Sequence, residues 1–318
     1  AEPQLYRVDT TDVGLGRWWA GANAPMHGGY NGLSAYFSLQ NPDTLRALDE
    51  WGMAAARRRS FYYQGFDFSA GLNTLAGVRY LLTRPGEEGY LPYGYNLVGE
   101  TPQSAQFTFI PEAGGMLRRY ENLYALPLGY AYSSWIPREE YLALDGFEKQ
   151  AAMLHSVVLE EDPGPAARRA RADEAVAGMR RLECEVVALI ECEQTAPGCY
   201  AYLPGAGGGG EELPECPEGQ GLVVLRLAVP AGSEVHLCMP QLAQANGGFG
   251  WSGLVLPGRD RDFWVTDPSA IEGGDVSREA WVNLGYYPQA ESLLVGLVCP
   301  PGAPISFGEV YARAWDMA

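Results

Sequence analysis

The second half of the chain is divided into short apolar runs, and this feature constrains the fold more than any other. The runs are rich in β-branched and aromatic residues and are separated by Gly and Pro. They cover residues 184–192, 199–203, 222–229, 234–239, 253–256, 262–265, 280–284, 293–299 and 308–315. Strands of this length and spacing are typical of antiparallel sandwiches. The pattern therefore predicts an all-β sandwich, jelly-roll-like in character.

The first half mixes helix and strand signals. Asn41 is suited to cap a helix over residues 42–51, because its side chain can accept a hydrogen bond from the first turn. A second helix is predicted from Ser69 to Gly77, and the glycine provides a left-handed stop before a strand at 78–83. Residues 106–110 alternate as a half-buried strand does. Together these signals indicate an α+β module.

Length and composition favour two domains. The chain has 318 residues and 34.5 kDa, a size that more often divides into two cores than forms one. Residues 159–182 shift to Glu, Pro, Ala and Arg, as an exposed connector would. We therefore predict an N-terminal α+β module at 1–158, a connector at 159–182 and the β-sandwich at 183–318.

Cysteine use supports the same division. The six cysteines all follow residue 183, and they are Cys184, Cys192, Cys199, Cys216, Cys238 and Cys299. An even number predicts disulfides if the domain lies outside the cell, and Cys192 with Cys199 would close a short Pro-Gly loop. Zinc is a competitor, but there is no Cys-x-x-Cys pair and His236 is the one nearby imidazole. Buried free thiols are the third alternative.

Charge and motifs exclude several function classes. The net charge is −17, so the average surface potential repels nucleic acid and anionic lipid. No stretch has the roughly 20 apolar residues of a membrane-spanning helix. The glycine strings at 14–16 and 207–210 lack the strand, turn and helix of a dinucleotide site. No hydrolytic set of side chains is recognisable, so we predict no catalytic residue, no cofactor and no metal site in this chain.

Four sequence segments, in order, carry a family resemblance. They are Tyr30-Asn-Gly-Leu-Ser-Ala-Tyr-Phe-Ser-Leu39, Asn73-Thr-Leu-Ala-Gly-Val-Arg-Tyr-Leu-Leu-Thr83, Arg119-Tyr-Glu-Asn-Leu-Tyr-Ala-Leu-Pro-Leu128 and Gly146-Phe-Glu-Lys-Gln-Ala-Ala-Met-Leu154. With these segments the chain resembles the extracytoplasmic region of bacterial YfhO-type membrane proteins. The resemblance implies a parent that spans the membrane several times and uses lipid-linked sugars to decorate cell-surface polymers. It also implies that this chain is an excised outer domain, located on the extracellular face of the bacterial cell membrane.

Two candidate carbohydrate-binding residues lie in these segments. Arg79 follows the glycine of the second segment, and its guanidinium could hold a carboxylate or a phosphate through two hydrogen bonds. An internal ion pair, with Glu121 for example, is the alternative use. Asn122 could bind a sugar hydroxyl, and a turn-capping amide is its alternative.

Two aromatic candidates lie in the second half. Trp251 stands in the glycine-rich stretch 247–253, which we predict to be a loop, and Tyr286 belongs to a Tyr-Tyr pair. Exposed rings can stack on sugars, whereas packing within a sandwich is the alternative for each ring.

The sequence thus predicts a non-catalytic domain that positions or recognises the acceptor. Its partner would be a cell-surface glycopolymer, or a lipid-linked sugar held by the parent protein. A free-standing carbohydrate-binding or adhesion protein and a secreted glycosidase are the two rival interpretations.

Overall fold

The computed structural model divides into two compact units. Unit 1 comprises residues 1–45 and 58–178, and unit 2 comprises residues 46–57 and 179–318. The residues that the structure describes are 5–11, 25, 29–36, 41–53, 57–59, 62–63, 65–102, 115–208, 213–244, 249–257, 259–266 and 279–317.

Short helices are concentrated in the first half of the chain. Those among the described residues are α1 Pro42–Glu50, α2 Ala70–Leu75, α3 Arg138–Leu142, α4 Gly146–His155 and α5 Ala172–Ala175, with a 3₁₀ turn at Glu88–Tyr90. The predicted start of α1 is confirmed, and the helix ends at Glu50, one residue before the predicted end. The Asn41 side chain accepts the Asp43 N–H at 2.8 Å, and Gly52 takes φ +62° after the last turn. Asn41 and Gly52 therefore define this helix locally.

The strands of the first half are short. They are β1 Arg7–Thr10, β2 Ala35–Tyr36, β3 Arg57–Arg59, β4 Tyr62–Tyr63, β5 Val78–Thr83, β6 Tyr95–Pro102, β7 Met116–Asn122, β8 Ser134–Pro137, β9 Val157–Leu159 and β10 Arg168–Arg169. The main sheet of unit 1 has the order β1-β5-β7-β6, in which β1 and β5 are parallel. Two three-stranded sheets have the orders β10-β8-β9 and β2-β4-β3. The strand predicted at 106–110 lies outside the described residues.

The core of the main sheet in unit 1 contains Leu81, Tyr95 and Tyr120, which come from β5, β6 and β7. A separate cluster around Ile136 and Tyr141 packs the helices of unit 1 against the smaller parallel sheet. The mixture of helices and sheets confirms the predicted α+β character of this part of the chain.

The second half is built almost entirely of strands. They are β11 Met179–Glu183, β12 Glu185–Ala196, β13 Cys199–Gly207, β14 Gly221–Val229, β15 Ser233–Pro240, β16 Ala243–Gln244, β17 Phe249–Leu256, β18 Arg259–Thr266, β19 Glu279–Tyr287, β20 Glu291–Cys299, β21 Ile305–Ser306 and β22 Tyr311–Asp316. They form a four-stranded sheet, β11-β22-β15-β19, and an eight-stranded sheet, β16-β21-β13-β12-β14-β20-β17-β18.

The two sheets of unit 2 share one hydrophobic core. Leu225 and Leu254 of the larger sheet pack in the same cluster as Val235, Leu237 and Ala312 of the smaller sheet, and all five are at most 1% exposed. Two antiparallel sheets that bury a common face are a β-sandwich, so the predicted sandwich is confirmed.

Two local predictions need comment. The prediction of a loop at 247–253 is wrong for residues 249–253, because these form the first part of β17. Residues 247 and 248 lie outside the described residues. Glycine therefore did not prevent strand formation, since residues 249–253 pair with residues 262–266 of β18. The segment 159–182 contains β10, α5 and most of β11. Its limits as a connector remain a prediction.

The disulfide prediction is not confirmed, because all six cysteines are free thiols. The pairing of Cys192 with Cys199 is wrong for a geometric reason. In the β12–β13 hairpin Cys192 lies opposite Tyr202, whereas Cys199 lies opposite Ala196 at the turn. Three residues of strand separate the two positions by about 10 Å, which exceeds the Cα separation of about 4.4 to 6.8 Å that a disulfide spans.

Candidate functional site

A surface pocket of about 280 Å³ opens in unit 1, where two of the motif segments meet. Leu5 and Tyr6 precede β1, and Gly77 and Arg79 stand at the start of β5. Residues 121 and 122 end β7, and residues 123 and 125–127 belong to the loop after it. Since β5 pairs with β7 in antiparallel register, Tyr80 lies opposite Glu121. Sheet pairing therefore joins segments that are about forty residues apart in sequence.

Glycine allows the loop after β7 to pack closely on the sheet. Gly77 has φ +66°, and a Cβ there would stand 2.8 Å from the Leu126 carbonyl oxygen. The Leu126 N–H donates to the Thr74 carbonyl at 3.1 Å, so the loop is bonded to the C-terminal end of α2. A Cβ on Gly94, which has φ +82°, would lie 2.5 Å from the Tyr124 ring. Both positions require glycine for backbone conformation and for space.

Arg79 forms an ion pair with Glu121 on the pocket wall. Its Nε donates to Glu121 Oε1 at 3.0 Å, and its Nη2 lies 2.9 Å from the same oxygen. This hydrogen bond raises the pKa of Arg79 above its ordinary value, so the guanidinium is charged at any physiological pH. The Arg79 side chain is 37% exposed. The pocket therefore offers a fixed cation that a ligand can approach.

Aromatic rings surround this cation. The Arg79 guanidinium carbon lies 5.9 Å from the Tyr6 ring centroid and 5.5 Å from that of Tyr80, and the two rings meet edge to face at 5.3 Å. Contacts of this kind attract the guanidinium to the ring faces and hold it in place. Tyr6 is 43% exposed and Leu123 is 61% exposed, so the rim of the pocket is partly apolar.

Asn122 supports the pocket from beneath. Its side-chain oxygen accepts the Tyr124 N–H at 2.9 Å, and its amide nitrogen donates to the Val78 carbonyl at 3.2 Å and to Thr74 Oγ1 at 3.4 Å. The residue is 4% exposed. These contacts correspond to the turn-capping alternative, and a role of Asn122 in sugar binding stays a prediction.

The two aromatic candidates belong to unit 2. Trp251 lies on β17, opposite Trp264 of β18, and its side chain is outside the described part of the structure. Tyr286 is half-buried on β19, opposite Glu234 of β15. The structure thus brings Arg79 and Asn122 into one pocket and places Trp251 and Tyr286 on different sheets of the sandwich. Their roles as carbohydrate contacts remain predictions.

The sequence did not indicate Tyr6 or Leu5 as site residues. They reach the pocket because β1 pairs in parallel with β5, and Arg7 lies opposite Val78. About seventy residues separate the two strands, and a parallel pairing over such a distance leaves no local signal. Tyr6 and Val8 favour a strand, but this local signal does not show which strand pairs with it.

Asp9, on the same strand β1, is a second residue that sequence reasoning missed. It is 6% exposed, and its burial raises the carboxyl pKa from 3.8 to about 7, while a hydrogen bond from the Thr10 backbone partly opposes this shift. A Cβ on Gly65 would stand 3.0 Å from Asp9 Oδ2, so glycine makes room for the carboxyl group. Asp9 is not part of the pocket wall.

Within the described residues no group of three or more His, Cys, Asp or Glu side chains is arranged to hold a metal ion. His236 is fully buried on β15, where its Nε2 lies 2.9 Å from Glu234 Oε1. In the same described part of the chain, no helix has the length and apolar character needed to cross a membrane.

Comparison with known proteins identifies the first half of the chain. The family described as "Bacterial membrane protein YfhO" matches residues 1–180, which is more than half of the chain. A Bacillus subtilis (strain 168) protein described as "Uncharacterized protein YfhO" is 28% identical over 163 residues, covering 50% of this chain and 16% of the relative. The chain thus spans a small part of that relative's length.

A solved structure of Pseudomonas aeruginosa AlgX was also found. The match covers 70% of this chain and 60% of the AlgX chain, with 11% identity and a TM-score of 0.18. This score is too low to indicate a shared fold.

Proposed function

The chain belongs to the YfhO family of bacterial membrane proteins, and from this premise we propose that it is an extracellular domain of a membrane glycosyltransferase. In this proposal the parent protein transfers a sugar from a lipid-linked donor to a cell-surface polymer. The domain binds one unit of the acceptor polymer in the pocket of unit 1 and presents it for transfer. The bond-making residues belong to other parts of the parent.

The convergence of two motif segments on one pocket carries this proposal. The segments 73–83 and 119–128 suggested the family, and the pocket wall draws Gly77, Arg79 and residues 121–123 and 125–127 from them. Most of the second segment's loop has no regular secondary structure, yet it is bonded to α2 through Leu126. A loop that is held rigidly on a scaffold is a common location for ligand recognition.

The chemistry of the pocket suits a sugar ring. An apolar face, provided by the Tyr6 ring and Leu5, can cover the C–H face of a sugar, while the Arg79–Glu121 pair supplies donors and acceptors for hydroxyl groups. A volume of about 280 Å³ lies just below the usual range for small-molecule sites, which starts at about 300 Å³. One sugar unit of a polymer therefore fits better than a complete nucleotide sugar.

Charge affects which acceptor unit is bound. The net charge of −17 disfavours a long polyanion on average, and the Arg79 guanidinium provides a local exception at the pocket. We expect neutral saccharides to bind with little salt dependence. An anionic polymer should bind only where its charged group reaches Arg79, and its affinity should fall as salt is raised.

Binding to the isolated chain is the first test. Saturation-transfer NMR with N-acetylglucosamine oligomers and with oligo(glycerol phosphate) measures contact with either class of acceptor. Arg79→Ala should weaken binding about 10- to 100-fold, because a charge-assisted hydrogen bond contributes about 1.5 to 3 kcal/mol. Arg169→Ala is the matched control: Arg169 is ion-paired to Glu140 at 2.6 Å and is not part of the pocket wall.

Transfer by the full-length parent is the second test. In membranes that contain the parent protein, Arg79→Ala should raise the KM for the acceptor polymer and leave kcat unchanged, because the residue is proposed to bind and not to react. Equal activity of Arg79→Ala and Arg169→Ala in both tests would contradict the proposal. Turnover of chromogenic glycosides by the isolated chain would instead favour the glycosidase alternative.

A further inference from the structure

Two of the six thiols meet in the core of the sandwich, although they lie far apart in sequence. Cys192 of β12 is 2% exposed and Cys299 of β20 is 0% exposed, and both belong to the cluster shared by the two sheets. A hydrogen bond joins the two thiols. The Cys299 thiol also donates to the carbonyl of Tyr200, a residue of β13, at 3.4 Å.

A glycine on the strand between the two cysteines allows their side chains to approach each other. Strand β14 separates β12 from β20, and two side chains with an intervening strand are normally too far apart for a bond. The position between these cysteines is Gly221, which lies directly opposite Cys299. A Cβ on Gly221 would stand 3.1 Å from Cys192 Cβ and 2.6 Å from the Glu191 carbonyl oxygen. Cys192 therefore occupies the space that a side chain on β14 would fill.

A bulge in β12 directs Cys192 to this position. The register with β13 shifts between Ile190 and Cys192, and Glu191 has φ +50°, which is rare for a residue with a side chain. Bulges turn a side chain toward a new direction. Opposed residues on antiparallel strands have Cβ atoms about 4.5 to 5.5 Å apart, so a side chain above Gly221 comes within reach of Cys299.

From this geometry we propose that Cys192 and Cys299 form an intrachain disulfide when the chain folds under oxidising conditions. The oxidant is a disulfide, either of a small thiol or of a protein. The thiolate of one cysteine attacks the oxidant and releases one thiol, giving a mixed disulfide. The second cysteine then attacks the cysteine sulfur of the mixed disulfide and releases the second thiol. The two cysteines lose two electrons and two protons, and the oxidant becomes two thiols.

The hydrogen bond between the two thiols shifts their pKa values in opposite directions. It lowers the pKa of Cys299, and the same bond, together with burial, raises the pKa of Cys192. Because both groups are buried in the finished sandwich, the reaction belongs to the folding stage, before the core around them closes.

Proteolysis at glutamate separates the relevant cysteines, so the pairing can be read by mass spectrometry. The chain would be unfolded and reduced, refolded in a buffer of reduced and oxidised glutathione, alkylated and cleaved after Glu. Cleavage gives the dipeptide 192–193, with Cys184, Cys199 and Cys216 in peptides 184–185, 194–211 and 216–218. The expected product is 192–193 joined to 292–309, two mass units lighter than the two peptides apart.

Variants and melting curves supply the controls. Cys192→Ser and Cys299→Ser should each abolish the linked peptide, and Cys184→Ser should leave it unchanged. The bond closes a loop of about one hundred residues, so the oxidised chain should melt about 5 to 15 °C higher than the reduced chain. Recovery of all six cysteines in alkylated form, or a link from Cys192 to Cys199 or Cys216, would overturn the proposal. Mass-spectrometric mapping of the cysteine pairing in the wild-type chain tests the proposal even if a serine variant does not fold.

Discussion

Asp9 makes the stability of unit 1 depend on pH in a direction opposite to that of most aspartates. Burial raises the pKa of its carboxyl group from 3.8 to about 7 in the folded chain. Between these two values the folded state holds a proton that the unfolded state has released. Stability therefore falls as pH rises through this window, and it levels off above pH 7.

The size of the effect follows from the difference between the two pKa values. Each pH unit within the window changes the free energy of unfolding by at most about 1.4 kcal/mol. A shift from 3.8 to about 7 therefore corresponds to a loss of about 4 kcal/mol between pH 4 and pH 8. Asp9→Asn removes the ionisation and keeps an oxygen that can accept the Thr10 N–H. The variant should match the wild type at pH 4 and be more stable by several kcal/mol at pH 8.

Urea unfolding followed by pulsed hydrogen exchange measures this change in unit 1 alone. Peptides that contain β1 and β5 report the transition at pH values from 4.5 to 8. Asp173→Asn is the control, because a hydrogen bond from Arg171 lowers the pKa of this exposed aspartate. Asp173 therefore does not titrate within this pH range. The free energy of unfolding of its variant should change with pH as that of the wild type does. If the free energy of unfolding of Asp9→Asn also changes with pH as that of the wild type does, the burial argument is refuted.

Two further substitutions test local packing. Gly52→Ala should destabilise unit 2 by about 2 to 4 kcal/mol in urea unfolding. Gly52 has φ +62°, and the added Cβ would stand 2.3 Å from Trp281 Cδ1. Gly232→Ala is the control, because Gly232 has φ +70° but open space around it, so this variant bears only the backbone strain; equal losses of stability in the two variants would contradict the predicted clash. Asp145→Ala should lower the stability of unit 1 by about 1 kcal/mol, because Asp145 accepts the Glu148 N–H at 2.8 Å in a capping box; Asp145→Asn should retain most of the stability in the same thermal melts.

Local signals in the sequence predicted the elements well. The cap at Asn41 and the glycine at 52 defined α1, and alternating apolar runs between turns defined the sandwich. Proline favours the first helical position, but Pro137 of this chain lies one residue before a helix. The proline ends β8 and caps α3, which begins at Arg138, because its fixed φ suits the extended residue before a helix as well as the first helical position.

Pairings between distant strands could not be predicted. The parallel contact of β1 with β5 brings Tyr6 to the pocket, and the approach of Cys192 to Cys299 depends on a bulge and on Gly221. Both depend on register, which a single residue of slippage would change completely. The ion pair given as the alternative use of Arg79 is present, because an unpaired charge is costly in a sheet. A nearby carboxylate was therefore the expected partner, and Glu121 is that carboxylate.

The fourth motif segment reaches the pocket indirectly. On α4, Gln150 accepts a hydrogen bond from Ser69 Oγ at 2.5 Å, and both residues are fully buried. Ser69 also caps α2, since its oxygen accepts the Leu72 N–H. The C-terminal end of α2 leads directly to Gly77, where the pocket loop packs. A helix that is outside the pocket thus positions the backbone from which Arg79 extends, and this explains why segments without ligand-binding chemistry accompany those that form the wall.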